Sequence, residues 1–213
     1  VSHELRSLLA RLQAAIGLAR QRPDKVETSL ERIEREAIRL DSLVGELLTL
    51  ARLEAGSAEV KCERVELVEL VAAIADDAQF EARLLGCDVQ LQASGEFVAE
   101  VGAALLHRAF ENVIRNAIKF TAPDTTVEVM VKVDQQQLKV MVADCGPGVA
   151  EAELALIFEL FRRVDENQGV AGFGLGLVIA RRAIESHGGE ITAQPRTGGG
   201  LCLSLRLPRQ TAL

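Results

Sequence analysis

Between Val26 and Ala51 the chain sets Val26, Leu30, Ile33, Ala37, Leu40, Val44, Leu47 and Ala51 at alternating steps of four and three residues. Only a long α-helix keeps such a row on one side, because a strand would scatter it over both faces. Glu27, Glu31, Arg32, Glu34, Arg35 and Arg39 form the opposite, charged face. Ile38, Leu43, Leu48 and Leu50 widen the apolar surface beyond a single seam. Upstream, Leu5, Leu9, Leu12 and Ile16 mark a shorter helix, and Pro23-Asp24 separates the two, since proline disfavours helical geometry in the residue before it. Two helices joined by a short turn cannot bury two apolar faces by themselves. Pairing two hairpins into a four-helix bundle does so, and a homodimer is therefore expected. The alternative packs the hairpin on the second half of the same chain.

The pattern changes after Gly56-Ser57. A hairpin domain over residues 1–56, a linker over 57–64 and a second domain over 65–210 are expected. Leu67–Leu85, Ala103–Phe120 and Leu175–His187 read as helices. Val89–Leu91, Phe97–Val101, Val127–Val133, Leu138–Val142, Glu190–Ala193 and Leu201–Leu207 read as strands. They are mixed without regular βαβ alternation, so the whole chain is of the α+β class: a helical hairpin, then an α/β sandwich with a mixed sheet.

The net charge of −7 lies entirely beyond residue 56, because the first 56 residues hold nine basic and nine acidic side chains. With 3% aromatic residues the chain lacks the basic, stacking surface that nucleic acid requires, and nucleic acid is discarded as a partner. No stretch approaches the roughly 18 apolar residues of a membrane-spanning helix. The four cysteines, Cys62, Cys87, Cys145 and Cys202, are scattered, and are expected to be small buried apolar residues in a reducing compartment. The first residue is Val1, so the chain is expected to be a piece of a longer protein.

Asp144-Cys-Gly-Pro-Gly148 follows a strand, and Gly172-Phe-Gly-Leu-Gly-Leu177 leads into a helix. Glycines ahead of a helix N-terminus let backbone amides close on phosphate, which the helix dipole also favours. Either element alone is an ordinary turn; together they point to a nucleotide. On the helix between them, Asn112 and Asn116 are spaced i, i+4 on one face, with Lys119 further along it. Asparagine is a mediocre helix former, whereas its amide oxygen can ligate Mg²⁺ and a lysine can neutralise phosphate. A solvated polar face is the plainer account of the same spacing.

The asparagine helix, Asp144-x-Gly-x-Gly148, Ile157-Phe-Glu-Leu-Phe161 and Gly172-x-Gly-x-Gly-Leu177 resemble the N, G1, F and G2 boxes of the sensor histidine kinases of two-component systems, in that family's order. Ser2-His-Glu-Leu-Arg-Ser7 resembles its H box. Arg11-Leu-Gln13, Leu30-Glu-Arg-Ile-Glu34 and Arg39-Leu-Asp-Ser-Leu43 are most similar to the Cpx-type envelope-stress sensors. The resemblance implies a dimerisation hairpin carrying a phosphoacceptor histidine, followed by an ATP-binding domain of the Bergerat type. His3 would attack the γ-phosphate of ATP, Glu4 would take or orient its other ring proton, and Ser7 would align water for dephosphorylating the partner. Asn116, supported by Asn112, would hold Mg²⁺; Lys119 would contact phosphate, Asp144 would read the adenine amino group, and Arg163 would meet the γ-phosphate. Phe120, Gly146, Gly148, Gly172, Gly174, Gly176 and Leu177 complete the implied nucleotide site. A response-regulator receiver domain is the implied phosphoryl acceptor. Localisation would be the cytoplasmic side of an inner membrane, reached through segments outside this chain.

Three positions depart from the family's pattern. Leu8 stands where proline is usual, which predicts a straighter first helix. Phe173 stands in the phosphate loop where a small hydroxylic residue is usual, and Phe120 replaces a common tyrosine. His107 and His187 match no role and are expected to pack or to lie on the surface. The position one turn before the metal asparagine is Asn112, where related ATPases carry a catalytic glutamate, and this argues against water as acceptor. A non-catalytic dimeric scaffold binding nucleotide or a regulator remains the alternative, and an ATP-hydrolysing or serine-phosphorylating relative is the third.

Overall fold

Pro23 divides the first segment as its ring chemistry requires. Helix α1 (Ser2–Gln21) ends just ahead of it, a single 3-10 turn covers Pro23–Lys25, and α2 (Val26–Glu54) then runs for 29 residues. The computed structural model describes residues 2–54, 62–161 and 173–209, with side chains from Leu5 onward. It divides into two compact units, residues 1–52 and 53–213.

In the hairpin unit, α2 buries Ser29, Glu36, Leu43 and Leu50, each seven residues from the last. Leu8 and Ala15, also seven apart on α1, are 1% and 2% exposed. The expected seam of α2 is thus split. Ile33, Leu40 and Leu47 are half-buried, whereas Val26, Leu30 and Val44 remain exposed. Leu9 and Ile16 of the expected α1 stripe are exposed as well. At 3.6 residues per turn, a neighbouring residue lies about 100° around the helix, so the row beginning at Ser29 faces differently from the row beginning at Leu30. Leu8, noted above only as a missing proline, is a core residue of an uninterrupted helix.

In the second unit, β1 (Glu63–Glu66) pairs antiparallel with β3 (Val98–Val101), and Glu63 lies inside the segment expected to be linker. Residues 57–61 of that segment lie outside the described residues. The main sheet has the order β2-β4-β5-β7-β6, formed by Asp88–Ser94, Thr126–Val133, Gln137–Ala143, Leu201–Pro208 and Glu190–Pro195. β2 runs parallel to β4 and every other pairing is antiparallel, which makes the sheet mixed.

Strict alternation builds its inner face: Val127, Val129 and Val131 of β4 are buried, as are Leu138, Val140 and Val142 of β5. α3 (Leu67–Leu84), α4 (Ala103–Phe120) and α5 (Gly176–Ser186) join those strands in one apolar core. Glu66 caps α3, accepting from the amides of Val68 and Glu69, and also accepts from Phe97 N at 2.6 Å. His187 ties two helix ends together: its Nε2 accepts from Gly102 N (2.9 Å) while its Nδ1 donates to Ala183 O (2.7 Å). His107 lies on the surface, 3.9 Å from Glu111. All four cysteines are free, and Cys62 is exposed, contrary to expectation, because it precedes the first strand of the unit instead of sitting within the core.

Candidate nucleotide site

α4 buries Leu106, Ala109, Phe110, Val113, Ile114, Ala117 and Ile118, a helical period that directs one full face into the core. Asn112 and Asn116 fall on the shoulder of that face, and both are half-buried. Among the described residues neither carboxamide has a hydrogen-bond partner. Half-buried amides left open in this way suit a ligand. At the end of the helix the Lys119 ammonium sits 5.2 Å from the centre of the Phe120 ring.

Asp144 follows β5 and is only 4% exposed. Its Oδ1 accepts from Gly146 N (2.8 Å) and Leu201 N (3.2 Å), which fixes the carboxylate. Among the described residues, Oδ2 receives no donor. Burial pushes this carboxyl above the ordinary carboxylate range, while the two amides and the nearby Arg196 charge pull it back.

The glycines explain how the loops reach these groups. A Cβ on Gly146 would stand 2.2 Å from the Phe120 carbonyl oxygen, so only glycine lets the Asp144 loop press on the end of α4. A Cβ on Gly176 would meet the Asn112 side chain at 3.4 Å, which places the start of α5 beside the asparagine face. α5 begins with no side-chain cap among the described residues, leaving amides of its first turn for another acceptor. Gly148 and Gly174 both have positive φ, 74° and 70°.

The structure therefore sets these groups along the C-terminal half of α4: Gly176 beside Asn112, Asn116 one turn further on, and the Asp144–Gly146 loop against Phe120, with Lys119 on the last turn of α4 and Leu177, half-buried, on the first turn of α5. Arg163 and Gly172 lie outside the described residues. His3 and Glu4 belong to the backbone of α1, and their side chains lie outside what is described. Ser7 is in the hairpin unit, where its hydroxyl accepts from Arg11 (2.9 Å). In the F box, Phe158 is buried with Arg181 above its ring at 5.6 Å. Phe161 takes a positive φ of 60°.

Three contributors were not singled out above. Thr121 Oγ1 accepts from Cys145 N (3.0 Å), and Arg196 donates to the Asp144 carbonyl (3.1 Å). A Cβ on Gly200 would stand 2.0 Å from that same carbonyl oxygen. The run Gly198-Gly-Gly200 before a strand is a legible turn signal. Nothing in the local sequence marks Thr121 or Arg196.

Residues 102–211 match the family described as histidine kinase-, DNA gyrase B- and HSP90-like ATPase, and residues 1–56 match the His kinase A (phospho-acceptor) domain. The chain belongs to this ATPase family and, with the phospho-acceptor domain preceding it, is a histidine kinase catalytic core. It is 37% identical over 211 residues to the sensor histidine kinase CpxA of Escherichia coli K12, covering 98% of this chain and 45% of that protein. The fold is similar to full-length ShkA in complex with AMPPNP (TM-score 0.74, 28% identity, 99% of this chain, 45% of that one). It is also similar to the Acinetobacter baumannii histidine kinase AdeS (TM-score 0.78, 20% identity, 98% of each chain). The chain thus spans about half the length of the curated relatives it matches. Among the described residues no helix is long and apolar enough to cross a membrane.

Proposed function

We propose that this chain is the cytoplasmic core of an inner-membrane sensor, that it phosphorylates its own His3 from ATP, and that it passes the phosphoryl group to an aspartate of a response-regulator receiver domain. The observation carrying this reading is the buried Asp144 carboxylate, fixed through Oδ1 with Oδ2 open, its loop packed on the end of the helix that carries two asparagine amides without a partner among the described residues. Oδ2 accepts from the exocyclic amino group of adenine. The first-turn amides of α5 and the Lys119 ammonium take up phosphate charge.

Asn116 and Asn112 would hold Mg²⁺, whose chemistry there is to neutralise phosphate oxygens, and the open amide oxygens fit that role. His3 attacks phosphorus through a neutral ring nitrogen; a bond to that nitrogen forms as the bond to the ADP leaving oxygen breaks. Glu4 holds or takes the proton on the other ring nitrogen. Such transfer is mostly positioning and charge neutralisation, for which these side chains are suited. Ser7 aligns water when the phosphorylated regulator is hydrolysed. Two copies pair through the exposed seam of α2.

Incubation with γ-labelled ATP and Mg²⁺ tests the reading, comparing the chain with His3→Gln and with a version extended upstream. Acid-labile, base-stable label that disappears in His3→Gln is expected. ATP binding with no label in either version would overturn it in favour of a nucleotide-binding scaffold.

A further inference from the structure

Arg196 sits in the turn between β6 and β7, and the turn folds it back toward the residues that follow β5. Its amide donates to Gly200 O (3.0 Å), Gly199 N donates to its carbonyl (3.1 Å), and Gly198, Gly199 and Gly200 all have φ between 95° and 105°. L side chains rarely adopt that conformation, so this return path depends on the three glycines. The guanidinium then reaches three places at once. It donates to the Asp144 carbonyl oxygen (3.1 Å), touches the Cys145 sulfur, and donates to Glu128 Oε1 on β4 (2.7 Å). Arg196 is 22% exposed and Glu128 51%, so the ion pair is a rim anchor and the contacts to Asp144 and Cys145 lie further in.

We propose that Arg196, anchored by Glu128, is a specificity-determining positioning residue that holds the Asp144 peptide so that its free carboxylate oxygen accepts a hydrogen bond from a 6-amino purine and rejects a 6-oxo purine. This rests on the adenine-reading role of Asp144 given above. The residue acts through the Asp144 main chain and touches no part of the carboxylate. Thr121 holds the other edge of the same peptide, whose N–H belongs to Cys145, so the Asp144–Cys145 peptide is gripped between the end of α4 and the β6–β7 turn. The guanidinium charge also favours the ionised carboxylate against the cost of burial. An ionised carboxylate only accepts, which suits an amino group and repels the carbonyl at the same purine position.

The test compares dissociation constants for ADP and inosine diphosphate, which need no turnover, in the unaltered chain, Arg196→Ala, Arg196→Lys and Glu128→Gln. The unaltered chain prefers ADP. In Arg196→Ala the preference falls by about tenfold, through weaker ADP binding with inosine diphosphate little changed. Arg196→Lys restores part of it, and Glu128→Gln lowers it by about threefold. Glu128 is half-exposed, so that variant reports even where Arg196→Ala does not fold. Equal loss for both nucleotides, or an unchanged ratio in Arg196→Ala and Glu128→Gln, overturns the assignment of Arg196 alone. No preference in the unaltered chain overturns the adenine-reading role of Asp144, and this inference with it.

Discussion

In the hairpin, the fully buried row of α2 is Ser29, Glu36, Leu43 and Leu50, half of it polar, while Leu30, Ile38, Val44 and Leu48 stand 42–64% exposed. In the ATP-binding unit, the buried cluster around Phe97, Phe110, Ile114 and Leu205 is apolar, and among the described residues the large exposed apolar side chains are Phe80, Leu84, Leu85 and Leu160. One unit completes its core with its own strands and helices. The other carries a buried carboxylate between two arginines, Arg11 and Arg39, each 3.0 Å from Glu36, and leaves a second seam open. In the proposed dimer such a helical pair is half of a bundle, and its stability is bound to a second copy.

This contrast can be broken most forcefully in the sandwich. Phe110→Ala removes a ring that is 1% exposed and costs about 4 kcal/mol, seen as a lower urea midpoint that does not depend on protein concentration. A concentration-dependent shift would count against a self-sufficient core. Next comes the open seam. Leu30→Asp combined with Val44→Asp weakens self-association by about a hundredfold in sedimentation equilibrium, with ADP affinity unchanged. If the double variant still dimerises as before, the seam is not the interface.

Glu36→Ala is a smaller, sharper probe, since it leaves Arg11 and Arg39 without their shared partner and frees Arg11 from orienting Ser7. A loss of about 1–2 kcal/mol is expected, and Glu36→Leu recovers most of it, because a packed apolar group does not need the two arginines. Recovery of stability without recovery of the proposed phosphatase activity would tie this network to Ser7.

The smallest effect concerns Asp144. Its raised pKa means that the ionised carboxyl is held less favourably in the folded than in the unfolded chain, so its ionisation at neutral pH detracts from stability. Asp144→Asn therefore raises the melting temperature of the ATP-binding unit by about 2 °C near pH 7. The gain shrinks as pH falls through the raised native pKa toward the ordinary carboxylate range, where both states are protonated. Nucleotide affinity of the unaltered chain falls over the same window. A stability gain independent of pH would show that burial does not penalise this carboxylate.

Much of the architecture was legible because it is local. The steps of α2, the alternation of β4 and β5, the α4 period that sets Asn112 and Asn116 on one shoulder, and the glycines around Asp144 are all patterns within one element. The difference between Leu9 and Leu8 was not legible, since two adjacent leucines on a helix satisfy the same pattern and only a packed partner chooses between them. Nor was the burial of Glu36, which depends on arginines three residues away on its own helix and 25 away on the other.

The sequence alone determined the long helices and the strands of the main sheet, though not β1, which starts inside the expected linker, together with the order of the boxes and the residue types offered to a nucleotide, because these depend on spacing and intrinsic backbone preference. The tertiary structure alone decided which of two seams is spent inside the hairpin, that β2 lies parallel beside β4, and that Thr121 and Arg196 close on Asp144–Cys145. Those are contacts between residues far apart in the chain, and their energy exists only once both sides have been brought together.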